Sequence, residues 1–265
     1  MIKLIACDMD GTLLDSKKRL PQGLLPALRA LRAQGTLFAV ASGRQYAALR
    51  RDLEELVPEI LFICENGALV MQNDRQLLID PLPAADLPDI VRTARSLDRV
   101  YPVVCRAWRG LIESSAASDF IEETHRYYPS YEIVPDLMAR CDVTDVCKVA
   151  FYDEGDAQTH ELPVLQSALG SRLSVILSGE HWVDVMKPGV HKGAAMRGLQ
   201  KMLGIAPEEC MAFGDYLNDC ELLESVGESY AMENAHPVLK AMARHIAPSN
   251  DEDGVMRVLR ERFSL

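Results

Sequence analysis

The sequence predicts an α/β protein: a doubly wound, Rossmann-like parallel sheet with an α+β domain inserted into it. Three observations carry that expectation. Short apolar runs alternate with helix-period segments from residue 2 onward, several of those runs end in a carboxylate, a hydroxyl or a Gly, and the rhythm breaks near Pro81-Leu82-Pro83 and returns after Pro188.

Residues 2–7 read as a buried strand. Pro21 reads as the opening of a helix with Leu24, Leu25, Leu28 and Leu31 on one face and Gly35 as its stop. A strand over 36–41 (TLFAVA), a helix over about 45–56 and a strand over 60–63 (ILFI) complete a βαβαβ run. From about 84 to 186 the pattern becomes helix, short strands, helix, the strand KVAFY (148–152), helix, and strands at 173–177 and 181–185. This stretch is expected to be an inserted domain with antiparallel strands, leaving 1–83 and 187–265 as one core split in sequence. The core then resumes with a helix over 192–203, the strand CMAFG (210–214), a helix over 219–224, a short strand near 229–232 and a closing helix.

Bulk properties narrow the function classes. A chain of 265 residues with 48% hydrophobic and 25% charged content and a mean hydropathy of -0.03 has an ordinary globular composition. No apolar run approaches the roughly 18–20 residues of a helical membrane span. The start, MIKLIACDMD, does not read as a signal peptide. A net charge of -11 disfavours sequence-independent nucleic-acid binding, so an anionic partner must be held locally. The seven cysteines are scattered and form no CxxC, which points to buried thiols in a reduced cytoplasm.

The chemistry is expected where strands end. In LIACDMDGTLLD, Asp8 and Asp10 close an apolar strand, and residues two apart share one side of it. Two carboxylates so close raise each other's cost of ionisation, so a cation or a proton is needed there. Gly11 permits the tight turn and Thr12 can hydrogen-bond nearby groups. A calcium loop is excluded, because the Gly stands at position 4 of the motif rather than 6. A second DxDG at 251–254 lies in a polar stretch before the closing helix, where acids are expected to satisfy free N–H groups. Ser42-Gly43 ends another strand and suits a phosphate oxygen, although such a pair by itself is also an ordinary turn. Lys192 opens a helix, against the favourable sign of the helix dipole, which hints at an anionic neighbour. In GDYLND, Asp215 and Asp219 follow a strand at helical spacing and offer oxygens to a hard cation such as Mg²⁺. An Asp nucleophile, a second Asp, a hydroxyl, a Lys and a distal Asp form a phosphoryl-transfer set.

Taken in order, DMDGTLL (8–14), ASGR (41–44), ENGA (65–68), GVHKG (189–193), GDYLND (214–219), ENA (233–235) and SNDEDGV (249–255) resemble the haloacid dehalogenase superfamily of phosphatases, in its Cof-type branch with a large α/β cap. The resemblance runs the whole length. It implies Mg²⁺-dependent hydrolysis of small phosphate monoesters (sugar phosphates, nucleotides or phosphorylated cofactors) through an aspartyl-phosphate. Asp8 would be the nucleophile and a metal ligand, and Asp10 the acid and base, with its backbone carbonyl on Mg²⁺. Met9, Ser42, Gly43, Lys192 and Asn218 would bind the phosphate, Asp215 would hold Mg²⁺, and Thr12 and Asp219 would stand behind them. The inserted domain would then select substrate, and Arg106, Trp108 and Arg109 are its candidates for contacting one, though an Arg-rich exposed hairpin is the favoured reading of them. Asp10 disfavours an ion-pumping ATPase, which in this superfamily carries Thr there. A large mixed insert disfavours a mutase, and the length disfavours a receiver domain.

Overall fold

A computed structural model describes all 265 residues. The chain forms two compact units: Met1–Gly43, Leu53–Leu78 and His191–Leu265 make the first, and Arg44–Asp52 with Ile79–Val190 the second. The opening stretch contains β1 (Leu4–Asp8), α1 (Leu24–Ala33), β2 (Leu37–Ala41), α2 (Tyr46–Asp52), β3 (Ile60–Cys64), β4 (Leu69–Gln72) and β5 (Arg75–Ile79). The middle stretch begins with α3 (Leu87–Arg95), β6 (Val100–Arg106), β7 (Gly110–Glu113), α4 (Ser118–Tyr127) and β8 (Tyr131–Val134). It continues with β9 (Val146–Asp153), α5 (Glu161–Leu169), β10 (Ser174–Gly179) and β11 (Trp182–Met186). The closing stretch holds α6 (Lys192–Leu203), β12 (Cys210–Gly214), α7 (Cys220–Glu224), β13 (Glu228–Met232), α8 (Pro237–Met242), β14 (His245–Ala247) and α9 (Gly254–Phe263).

In the first unit, eight strands lie in the order β14-β13-β12-β1-β2-β3-β4-β5, parallel from β14 to β3. Every residue of β1 is buried, as a strand with parallel neighbours on both sides requires. Leu4 pairs with Leu37 on one side and with Cys210 on the other. The chain therefore leaves β1 in one direction and returns on its other flank. The carboxyl ends of β1 and β12 form the switch point at which open α/β sheets bind ligands.

Several local expectations are corrected. Helix α1 starts at Leu24 rather than Pro21, after Gly23 in a left-handed conformation, and buries Ala27 where Leu25 was expected. Pro26 still fits in its first turn, where an N–H has no helical partner. The 45–56 helix is α2 followed by a separate turn of 3₁₀ helix at Glu54–Leu56. Strands β4 and β5, joined by Asn73-Asp74 with both φ positive, extend the sheet beyond the expected third strand. The run 251–253 does not cap α9: Asp253 is left-handed, and Asp251 Oδ1 accepts from the Ser16 N–H (2.7 Å).

The second unit carries a six-stranded sheet, β10-β11-β9-β6-β7-β8. Its pairs are antiparallel except β7 with β8. One face buries Leu87, Ile90, Val91, Leu165 and Leu169 from α3 and α5 against Val149 and Phe151; the other packs Phe120 and Tyr128 against Val103 and Ala150.

Candidate active site

Within the first unit, three chain segments bring carboxylates and an amine to the switch point. Asp8 ends β1, Asp215 follows β12, Asp219 lies one turn on, and Lys192 opens α6. The Lys192 side chain is 1% exposed, and its Nζ donates to Asp8 Oδ1 (2.5 Å) and Asp219 Oδ1 (2.7 Å). Its place is fixed from both sides: His191 caps α6, with Nδ1 accepting from the Ala194 N–H (3.2 Å), and a Cβ on Gly193 would strike the Glu221 carbonyl of α7. Burial lowers the His191 imidazole, in keeping with the neutral ring that this cap needs.

The turn after β1 is held against Asp215. Gly11 has φ +84, and a Cβ there would run into the Asp215 carboxylate. Thr12, 1% exposed, donates from Oγ1 to Asp215 Oδ1 (2.9 Å). The Leu13 and Leu14 N–H groups reach back to the Asp8 and Met9 carbonyls at 3.2 and 2.9 Å. Met9 has a buried side chain. The Asp10 carboxylate takes a separate path, accepting from Lys18 Nζ at 2.7 Å in a largely exposed pair.

Ser42, also buried, directly follows β2: its N–H donates to the Ile63 carbonyl (2.8 Å) and its carbonyl accepts from the Asn66 N–H (3.1 Å). A Cβ on Gly43 would approach Asn66 Oδ1 to 2.9 Å, so the Glu65-Asn66-Gly67 turn lies directly over this loop. Asn218 is exposed in the turn after β12.

The electrostatics are those of an acid-rich site with one resident cation. Burial, and then the Asp219 charge, push the Asp8 carboxyl well above the usual carboxylate range. Asp215 is raised, chiefly by burial, although the Thr12 hydroxyl works against it. Burial opposes the Lys192 charge, but Asp8 and Asp219 outweigh it and hold the ammonium above the ordinary lysine value. One oxygen from each of Asp8, Asp215 and Asp219 lies within 4.8 Å of the others. Asp219 is already committed: Oδ1 meets Lys192, and Oδ2 accepts from the Asp215 and Tyr216 N–H groups at 3.1 and 3.2 Å. That leaves Asp8 and Asp215 as the carboxylates that could donate to a metal, a hard oxygen pair that fits a small divalent cation.

The structure thus gathers Asp8, Thr12, Lys192, Asp215 and Asp219 by direct contact, and shows Asp10 turned to Lys18. It also adds two residues that had no assigned role. Asn234 Nδ2 donates to the Gly11 carbonyl (2.8 Å), Asn250 Nδ2 donates to the Leu14 carbonyl (2.9 Å), and the Asn250 N–H donates to Asn234 Oδ1 (3.1 Å). These clamps belong to the short segments ENA and SNDEDGV, which the family resemblance had already singled out without assigning either Asn a task. In the second unit, Arg106 is paired with Asp145 (2.7 Å) and Arg109 lies 3.9 Å from Glu132, while Trp108 is half-exposed.

Comparison with known proteins agrees with this geometry. A family profile described as haloacid dehalogenase-like hydrolase matches residues 5–259. The chain is 32% identical over 259 residues to the 5-amino-6-(5-phospho-D-ribitylamino)uracil phosphatase YbjI of Escherichia coli, covering 97% of this chain and 95% of that one. It is 31% identical over 250 residues to the HMP-PP phosphatase of Cronobacter sakazakii, covering 93% and 89%. Among solved structures, a haloacid dehalogenase-like hydrolase from Bacteroides thetaiotaomicron superposes with a TM-score of 0.84 at 25% identity, covering 99% of this chain and 100% of that one.

Proposed function

The chain belongs to the haloacid dehalogenase-like hydrolases, and from that premise we propose that it is a Mg²⁺-dependent phosphatase working through an aspartyl-phosphate on Asp8. It hydrolyses small phosphate monoesters, a reading supported by relatives that are named as phosphatases of small phosphorylated molecules. The observation that carries the mechanism is Lys192, buried between Asp8 and Asp219 beside Asp215, which concentrates charge control on one carboxylate at a strand end.

An Asp8 oxygen attacks phosphorus, and the P–O bond to the alcohol breaks. Asp10 gives its proton to the departing alkoxide. Asp10 then takes a proton from the water that attacks the phospho-Asp8 bond, so phosphate leaves and both acids return to their starting states. Lys192 neutralises the nucleophile and a phosphoryl oxygen, while Met9, Ser42, Gly43 and Asn218 position the others. Asp8, Asp215 and the Asp10 backbone carbonyl would hold Mg²⁺, which when bound supplies positive charge against the phosphoryl oxygens. Thr12 and Asp219 orient Asp215 and Lys192. Residues 84–186 form the substrate-selecting domain.

Chelation tests the metal requirement. Turnover of p-nitrophenyl phosphate should vanish in EDTA and return with Mg²⁺. Calcium should inhibit, because its looser coordination can engage both Asp8 oxygens. Full activity in metal-free buffer would exclude this mechanism.

A further inference from the structure

The turn after β3, Glu65–Gly67, lies against both Lys192 and the Ser42-Gly43 loop. Its three residues, Glu65, Asn66 and Gly67, all have positive φ, at 49, 55 and 103. One left-handed residue is routine in a turn, but three in succession persist only where the surroundings impose them. Here they are imposed from two sides. A Cβ on Gly67 would strike the His191 carbonyl and stand 3.0 Å from the Lys192 nitrogen. The Asn66 N–H donates to the Ser42 carbonyl (3.1 Å). Strand register places this turn beside Asp8: Asp8 pairs with Ala41, and Ala41 with Ile63, so the ends of β1, β2 and β3 are level. Neighbouring ends stand about 4.8 Å apart. The Asn66 side chain fills the space that a side chain on Gly43 would need. Its Oδ1 and Nδ2 lie 2.9 and 3.2 Å from where a Gly43 Cβ would be. The carboxamide is half-buried and makes no hydrogen bond within the protein, so its two N–H donors are unspent.

We propose that Asn66 is a further phosphate-binding residue, whose Nδ2 donates to the phosphoryl oxygen lying against Gly43. The inference rests on the phosphatase reading of this site. In that reading the phosphoryl oxygens at Asp8 face Lys192 on one side and the Ser42-Gly43 loop on the other. Asn66 is the side chain packed on that loop, and its turn also abuts the start of α6, so one short segment sets the distance between the two sides. The residue type fits both demands. Asn tolerates the left-handed backbone, as Gly does, and unlike Gly it carries a donor. A neutral donor also adds grip on the anion without a second buried charge beside Lys192.

The probe is inorganic phosphate, the expected product, read as its inhibition constant against p-nitrophenyl phosphate with Mg²⁺. KM, kcat and thermal midpoints are measured alongside in the full-length wild type and three variants. Asn66→Gly keeps the left-handed turn and removes the donor. It should raise both the phosphate inhibition constant and KM roughly ten- to a hundredfold, the usual loss for a hydrogen bond to a charged group, with a smaller fall in kcat. Asn66→Asp keeps the shape and the backbone preference but places an anion there, and should weaken phosphate further. Asn66→Ala should match Asn66→Gly in phosphate binding and in addition lower the thermal midpoint, because Ala disfavours positive φ. A residue that only shaped the turn would give another order, with Asn66→Gly at the wild-type constant and Asn66→Ala the most impaired. That order, or wild-type phosphate binding in both Asn66→Gly and Asn66→Asp of an active enzyme, would overturn the role of Asn66 and leave the phosphatase reading standing. A wild type that turns over no phosphate ester with Mg²⁺ would overturn that reading and this inference with it.

Discussion

Asp8 and Asp10 stand two residues apart yet live in different surroundings. Asp8 is buried against Lys192, whereas Asp10 makes a largely exposed pair with Lys18, worth about 0–1 kcal/mol and readily opened. That contrast suits a fixed nucleophile and a movable acid. Asp8→Asn should abolish turnover and phospho-enzyme together. Asp10→Asn should cost roughly 10²–10⁴-fold or more on alkyl phosphates, the range of general acid–base catalysis. On p-nitrophenyl phosphate, whose leaving group hardly needs a proton, the loss should be smaller. Steady-state rates on the two substrates check this, and equal losses would remove Asp10 from the acid role. The carboxylates were legible because each ends an apolar run, a pattern that local sequence carries. The Asp10–Lys18 pair was not, because it depends on Lys18 taking a left-handed backbone (φ 61) in a loop whose path is set by distant contacts.

Most elements were readable, down to the five-residue α7 and β13, but β14 and α8 were not. β14 has three residues, two of them exposed, and α8 has six, so neither carries a periodicity that a sequence can display. α5 shows what burial adds. Its first residue, Glu161, is fully buried, and neither oxygen has a hydrogen-bond partner. Its charged neighbours are Asp153 of β9, paired with His160 (2.6 Å), and Asp184 of β11, paired with Lys148 (3.0 Å). Burial, then the Asp153 and Asp184 charges, push the Glu161 carboxyl from 4.5 to about 8. Between those values the folded state keeps a proton that the unfolded chain has lost. Its contribution to stability is thus fully present below about pH 4.5 and is lost as pH rises through about 8, a change on the order of a few kcal/mol. Denaturant midpoints at about pH 6 and about pH 9 should fall more steeply for the wild type than for Glu161→Gln. Parallel changes in the two proteins would show that Glu161 does not titrate in this window.

On the scale of the whole molecule, the break in rhythm at Pro81-Leu82-Pro83 and after Pro188 marked an insertion, and the compact units divide nearby, at Ile79 and Val190. Arg44–Asp52 was assigned to the core by sequence but groups with the second unit, because contact rather than chain order decides membership. Every residue proposed for chemistry lies in the first unit, which motivates the selective role proposed for 84–186. Replacing that stretch with a short linker should leave a Mg²⁺-binding core with poorer discrimination among esters, losing more activity on sugar phosphates than on p-nitrophenyl phosphate. A folded core, checked by circular dichroism, that kept the parent's substrate ranking would place selectivity elsewhere. The position of β1 has a further consequence, for the order of assembly. This strand carries Asp8 at the middle of the sheet, yet one neighbour begins at Leu37 and the other only at Cys210. During synthesis one edge of β1 stays open until the last quarter of the chain has emerged, exposed to mispairing in the meantime. Asp215 follows β12 in the chain, so Asp8 can meet it only after that strand has been made, and a truncated product lacking β12 should show no turnover in a phosphatase assay.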